Sequence, residues 1–116
     1  MIDYGIGNLR SAEKALQHLA AAPAAVLPGV GAFGACMDAL DATGLADVAR
    51  DFAASGRPFL GICVGMQLLY DASAETPNRT GLGILDGTVG LIEGRVKRPQ
   101  MQWNRLNVTA PDHPLM

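Results

Sequence analysis

The stretch "GICVGMQ", residues 61–67, sets Cys63 two positions after one glycine and two before another. An apolar run, "RPFLGI", leads in, and a helix-like run, "GMQLLYDA", leads out. Gly-x-nucleophile-x-Gly between a strand and a helix is the pattern of a nucleophile elbow. Such a turn lifts the side chain above the sheet edge, and its glycines remove the Cβ atoms that would clash in so sharp a bend. A helix beginning just after the sulfur aims its first amides at it and favours the thiolate, the reactive form. The same amides can hold the oxyanion created when a thiolate attacks a carbonyl. Attack of this kind also needs a base, which the spacing around Cys63 does not supply. The alternative role for Cys63 is that of a small buried hydrophobe, common among free cysteines.

A second glycine cluster, "GVGAFG" at residues 29–34, matches G-x-G-x-x-G and stands between an apolar run and a helical pattern. That is the context of a dinucleotide fingerprint, with Asp51, about 20 residues on, as the acid for a ribose hydroxyl. Pro28 interrupts the end of the preceding strand, the motif is not on the first strand, and a dinucleotide site leaves "GICVGMQ" without a role. The other reading gives the backbone amides of Gly29, Val30 and Gly31 an oxyanion to bind instead of a pyrophosphate.

Both clusters need elements to hold them. "MIDYG" reads as a strand running into the turn "GIGN", and "LRSAEKALQHLAAA" has helical apolar spacing at Leu9, Ala12, Leu16 and Leu19. "AAVLPG" is a second strand. "CMDALDATGLADVARDFAASG" reads as one helix with Met37, Leu40, Leu45, Val48 and Phe52 inward, closed by Gly56 and Pro58. "PFLGI" is a third strand and "GMQLLYDAS" a third helix. From residue 77, "PNRTGLGILDGTVGLIEG" reads as turns and short strands. The alternation implies a mostly parallel sheet covered by helices.

Composition narrows the class. With 116 residues, 49% hydrophobic and 17% charged, the chain suits one globular domain. A formal net charge of −2 gives no footprint for nucleic acid or an anionic membrane. No apolar run reaches the roughly 20 residues of a membrane span, and the start lacks the basic and apolar segments of a signal peptide, so a cytoplasmic location is expected. The two cysteines, Cys36 and Cys63, are expected to be separate thiols in such a compartment, and they bring no histidine pair for a zinc site.

Taken in order, "DYGIGNL", "LPGVGAFG", "PFLGICVGMQLL" and "MQWNRL" resemble the glutamine amidotransferase subunits of imidazole glycerol phosphate synthase, within the triad-type (class I) amidotransferases. The resemblance runs over nearly the whole chain. It implies a flavodoxin-like α/β fold of three layers, a mostly parallel sheet with helices on both faces. It implies hydrolysis of L-glutamine to glutamate and ammonia without a cofactor or metal. The ammonia passes to a (β/α)8 synthase subunit that makes imidazole glycerol phosphate in histidine biosynthesis. Carried over by position, Cys63 forms the glutamyl thioester and Val64 offers an oxyanion amide. Gly29, Val30 and Gly31 are the oxyanion strand, Gln67 helps to hold glutamine, and Asn8, Trp103 and Asn104 face the synthase partner. The other role for Trp103 is a core or hairpin anchor.

The sequence also departs from the family pattern. A late His-Pro-Glu segment completes the family's triad, and residues 1–116 contain none, so the chain is expected to be a partial domain of low activity. Its histidines differ in setting: His18 falls on the first helical pattern, and His113, in "DHPLM", matches a non-catalytic stretch. "HLAAAPAAVLPG" runs straight through where the family places a further strand and helix, the first strand is short, and Gln100 and Gln102 replace the usual His and Gly.

Overall fold

A computed structural model describes residues 22–99, 101–105 and 107–112. The expected first strand, first helix and "GIGN" turn, with Asn8 and His18, lie outside the described residues, as do Gln100 and His113. Strand β1 (Ala25–Leu27) leads through the glycine loop into helix α1 (Phe33–Ala42). Helix α2 (Leu45–Ala54) follows, then strand β2 (Phe59–Gly61), the short helix α3 (Val64–Gln67), strand β3 (Tyr70–Ser73) and strand β4 (Leu85–Val89). The chain is α/β with parallel strands, but the strands form two small pairs. β1 runs parallel to β2 with Val26 opposite Leu60, and β3 parallel to β4 with Tyr70 opposite Leu85.

The expected strands "AAVLPG" and "PFLGI" correspond to β1 and β2, and β1 ends at Leu27, immediately before Pro28. Pro28 has no N–H to donate and closes the ladder there. The single helix expected from Cys36 onward is two helices. Gly44 breaks it in the left-handed region, φ 70° and ψ 8°, after Thr43 turns its hydroxyl back to the Ala39 and Leu40 carbonyls. The inner face is as read: Met37, Leu40, Leu45 and Phe52 are buried, and Val48 packs against them with Phe33, Leu27 and Leu68. Gly56, φ 73°, ends α2.

The third helix requires correction. "GMQLLYDAS" was expected to be helical throughout, but α3 stops at Gln67 and Tyr70–Ser73 is a strand. Carbonyls of the following residues are taken from across the fold: Leu82 donates to Leu68 O at 2.7 Å, and Ile84 and Leu85 donate to Leu69 O at 2.8 and 2.9 Å. Those non-local bonds replace the ones a longer helix would make. The loop between β3 and β4 is strapped to α1. Arg79 Nε donates to Asp38 at 2.7 Å and its Nη2 pairs with Asp41. The hydrogen bond to Asp41 lifts the Arg79 pKa above its ordinary value, against the opposing effect of partial burial, with Asp38 adding to it. Thr76 of the same loop sits where a Cβ on Gly34 would fall, 2.8 Å from its Cγ2.

Candidate functional site

Cys63 stands between β2 and α3 with φ 56° and ψ −123°, and it is the one non-glycine residue with positive φ among the described residues. Such a conformation costs on the order of 1–3 kcal/mol and persists only where the surroundings impose it. Here the constraints are glycines. A Cβ on Gly61 would lie 2.5 Å from the Met66 Cα, and one on Gly65 would lie 2.0 Å from the Leu27 carbonyl oxygen. A Cβ on Gly29 would fall 2.4 Å from the Gly65 nitrogen. The end of β1 and the start of α3 are therefore in backbone contact, and no side chain fits between them. The Leu27 carbonyl accepts from the Ile62 amide at 2.9 Å, which fixes the register just before the cysteine.

Cys63 is exposed and Cys36 is buried, with no disulfide between them. The expectation that Cys36 begins a helix is corrected: α1 starts three residues earlier, at Phe33. Within the elbow, Gly65 N donates to Ile62 O at 3.0 Å, and Met66 and Gln67 donate to Cys63 O at 3.0 and 3.2 Å. As the first helical residue, Val64 has no intrahelical acceptor for its N–H. Among the described residues no backbone carbonyl outside the helix accepts from it either. A four-residue helix carries little dipole, so the local amide matters more here than the macrodipole.

Gly29 is buried against the elbow, whereas the Val30 side chain is 93% exposed and Gly31 has φ 113° with open space around it. The loop is anchored from behind. The Phe33 amide, first of α1, donates to Glu75 Oε2 at 3.0 Å, and the Cys36 thiol donates to the Val30 carbonyl at 3.4 Å. The Glu75 contact bears on the dinucleotide reading of "GVGAFG". A pyrophosphate there would meet a carboxylate already seated on the helix start, and like charges repel. Asp51 is exposed on α2.

Gln67 lines a cavity of 610 Å³ with Ser73, Glu75, Val89, Leu91 and Pro99 among its neighbours. Of the residues singled out in the sequence, the structure sets Gly29 against Val64 and Gly65, next to Cys63 in the chain, while Gly31 has open space around it. Gln67 lies one helical turn from Cys63 and opens on the cavity, whose wall does not include Cys63. Glu75 was missed by sequence reading. It joins the loop and the cavity, and its only sequence signal is a lone acid after the buried Ser73, 42 positions from its partner Phe33. Trp103 and Asn104 lie apart from the elbow's contacts. Trp103 is fully exposed, outside the core that the described residues form, and Asn104 accepts from Gln102 at 3.1 Å.

The sequence profile of the family "Glutamine amidotransferase class-I" matches residues 6–109. Among curated proteins, the imidazole glycerol phosphate synthase subunit HisH of Lactiplantibacillus plantarum is 44% identical over 129 residues, covering 98% of this chain and 62% of that protein. The HisH subunit of Bacillus cytotoxicus is 43% identical over 122 residues, covering 94% and 58%, and that of Aquifex aeolicus 45% over 120 residues, covering 91% and 58%. The chain thus spans about 60% of the length of these relatives. The stretch aligned with the first of them, 129 residues, exceeds the 116 of this chain, so that relative carries internal residues with no counterpart here. An omission of that kind was expected at "HLAAAPAAVLPG". With a match over 6–109 that spans both glycine clusters and the elbow cysteine, the chain belongs to the class I glutamine amidotransferases.

Proposed function

We propose that this chain carries the nucleophile and oxyanion half of a glutaminase that serves a (β/α)8 synthase subunit in histidine biosynthesis. The observation that carries the reading is the backbone of Cys63, an exposed thiol held at φ 56° in a glycine-bounded elbow. In this reading the Cys63 thiolate forms a C–S bond to the γ-carboxamide carbon of L-glutamine. The Val64 amide and the amides of Gly29, Val30 and Gly31 take the oxyanion, and Gln67 holds the substrate from the cavity side. Collapse breaks the C–N bond and ammonia leaves with a proton. Water then cleaves the thioester to glutamate and frees the thiol. The surrounding domain is a three-layer α/β unit of which residues 1–116 form a part, and Asn8, Trp103 and Asn104 face the synthase.

Protonation of the leaving nitrogen and activation of water both need a proton carrier, worth about 10²–10⁴-fold in rate. In this reading the carrier is neither His18, on the first helical pattern, nor His113, in "DHPLM". Acylation is thus the step carried by the residues named here, and turnover needs that carrier besides. A glutamine-derived chloromethyl ketone tests the reading. It should label Cys63 and spare Cys36, and free L-glutamine should slow the labelling. Labelling of Cys36, or a rate indifferent to glutamine, would overturn it.

A further inference from the structure

We infer that Cys36 is a positioning residue for the oxyanion strand, acting through the Val30–Gly31 peptide. The inference rests on the glutaminase reading of Cys63 above. The Cys36 side chain is buried, and its thiol donates to the Val30 carbonyl at 3.4 Å. Its own backbone is fixed, since Cys36 N donates to Ala32 O at 3.0 Å within the first turn of α1. That turn is fixed independently. Glu75 Oε2 accepts from Phe33 N, and Arg79 of the same loop holds Asp38 and Asp41 farther along the helix. The thiol is thus a donor on a helix tied down at two places, aimed at the Val30 carbonyl, just beyond the point where Gly29 packs on Gly65.

The peptide between Val30 and Gly31 is trans, the described cis bond being Arg98–Pro99. In a trans peptide the C=O and the following N–H point in opposite directions. Fixing the Val30 oxygen toward α1 therefore fixes the Gly31 N–H away from it. Among the described residues no other hydrogen bond reaches the Val30 carbonyl or the Gly31 amide. Gly31 has φ 113°, a Cβ placed on it would find no atom within 4 Å, and glycine reaches both peptide orientations at little cost. The Val30 side chain is exposed and packs against little that would resist a rotation. One weak thiol donor thus selects the orientation in which the loop presents its amides, and an oxyanion site depends on donors being in place before charge develops.

The γ-(4-nitrophenyl) ester of L-glutamate reads this out on the full 116-residue chain. The Cys63 thiolate forms a C–S bond to the γ-carbonyl carbon, the C–O bond breaks, and 4-nitrophenolate leaves with the electron pair. The leaving group needs no proton, so the burst reports acylation and oxyanion stabilisation apart from any base. Cys36→Ala should lower the acylation rate constant about 10-fold, part of the roughly 10²–10³-fold that loss of an oxyanion donor costs. The half-saturating ester concentration should stay unchanged, and Cys36→Ser, which restores a donor, should recover most of the rate. The Gly31 amide nitrogen resonance should shift in Cys36→Ala and return toward its original position in Cys36→Ser. A loss caused by loosened packing would instead move half-saturation and thermal stability, would not be rescued by serine, and would overturn the inference. An acylation rate equal to or above the parent's in Cys36→Ala overturns the inference while leaving the Cys63 reading in place. A chain with no burst, or a burst that survives in Cys63→Ala, overturns both.

Discussion

At the scale of single residues, the site is made by what is missing at Cβ. The Gly29–Gly65 contact brings two loops, more than thirty positions apart in sequence, to backbone distance. Gly65 lies in the ordinary helical region, so its requirement is steric and not conformational. A methyl there would lie 2.0 Å from the Leu27 oxygen and 2.7 Å from the Leu27 carbon. Both are backbone atoms at the end of β1, so relief requires moving the strand or the elbow. Gly65→Ala is accordingly expected to destabilise the chain by roughly 1–3 kcal/mol, the range for overpacking a close-packed site. It should also slow labelling of Cys63 by displacing the 29–31 loop. Urea denaturation of the two proteins side by side measures the first effect, and an unchanged midpoint would refute the contact. The sequence made the glycines and Cys63 legible because a sharp turn demands them at fixed spacing. It left Glu75 silent, because a carboxylate that caps a helix 42 residues away has no local pattern to betray it.

At the scale of elements, periodicity gave α1 and α2 their inner face but not their division. Leu40 and Leu45 are five positions apart, about 140° round a continuous helix, so each apolar face is regular within its own helix and the stripe steps at the junction. The break is carried by Gly44 alone, at φ 70° with open space around it. Gly44 is thus the converse of Gly65: its requirement is conformational and not steric. An alanine in the left-handed region costs roughly 1–2 kcal/mol, offset by about 0.4–1 kcal/mol from a stiffer unfolded chain. Gly44→Ala should therefore destabilise by roughly 0–1.6 kcal/mol and leave Cys63 labelling at its original rate. A thermal melt that shows stabilisation would mean the α1–α2 junction is not in this conformation. The misread third helix has a different cause. "GMQLLYDAS" has helical apolar spacing, and what overrides it is the pairing of Leu68 and Leu69 carbonyls with Leu82, Ile84 and Leu85. Long-range pairing of that kind outweighs local preference in strands. The parallel pairs were legible as alternating strands and helices, whereas their division into two small pairs depends on contacts no short window contains.

At the scale of the whole molecule, apolar side chains are distributed unevenly. The core gathers between α1, α2 and β1, while the stretch from Leu91 to Val108 turns Leu91, Ile92, Met101 and Trp103 outward. Scattered exposed apolar residues are ordinary, but Leu91 at 71%, Met101 at 79% and Trp103 at 102% exposure are large side chains close together in sequence. Aromatic residues and methionine are enriched at the centres of protein interfaces. The proposed synthase partner would meet this stretch through Trp103 and Asn104. Because the chain has one tryptophan, the test needs no label. Free, Trp103 should emit at the long wavelength of an indole in water and be quenched readily by iodide. With a tryptophan-free variant of the (β/α)8 subunit added, emission should move to shorter wavelength and quenching should fall, saturating at one equivalent. Sedimentation of the same mixture separates the two ways this could fail. Association without a change at Trp103 would place the interface elsewhere on the chain. Absence of association would remove the synthase as partner of this polypeptide, while Cys63 labelling, measured without the partner, would still report on the elbow.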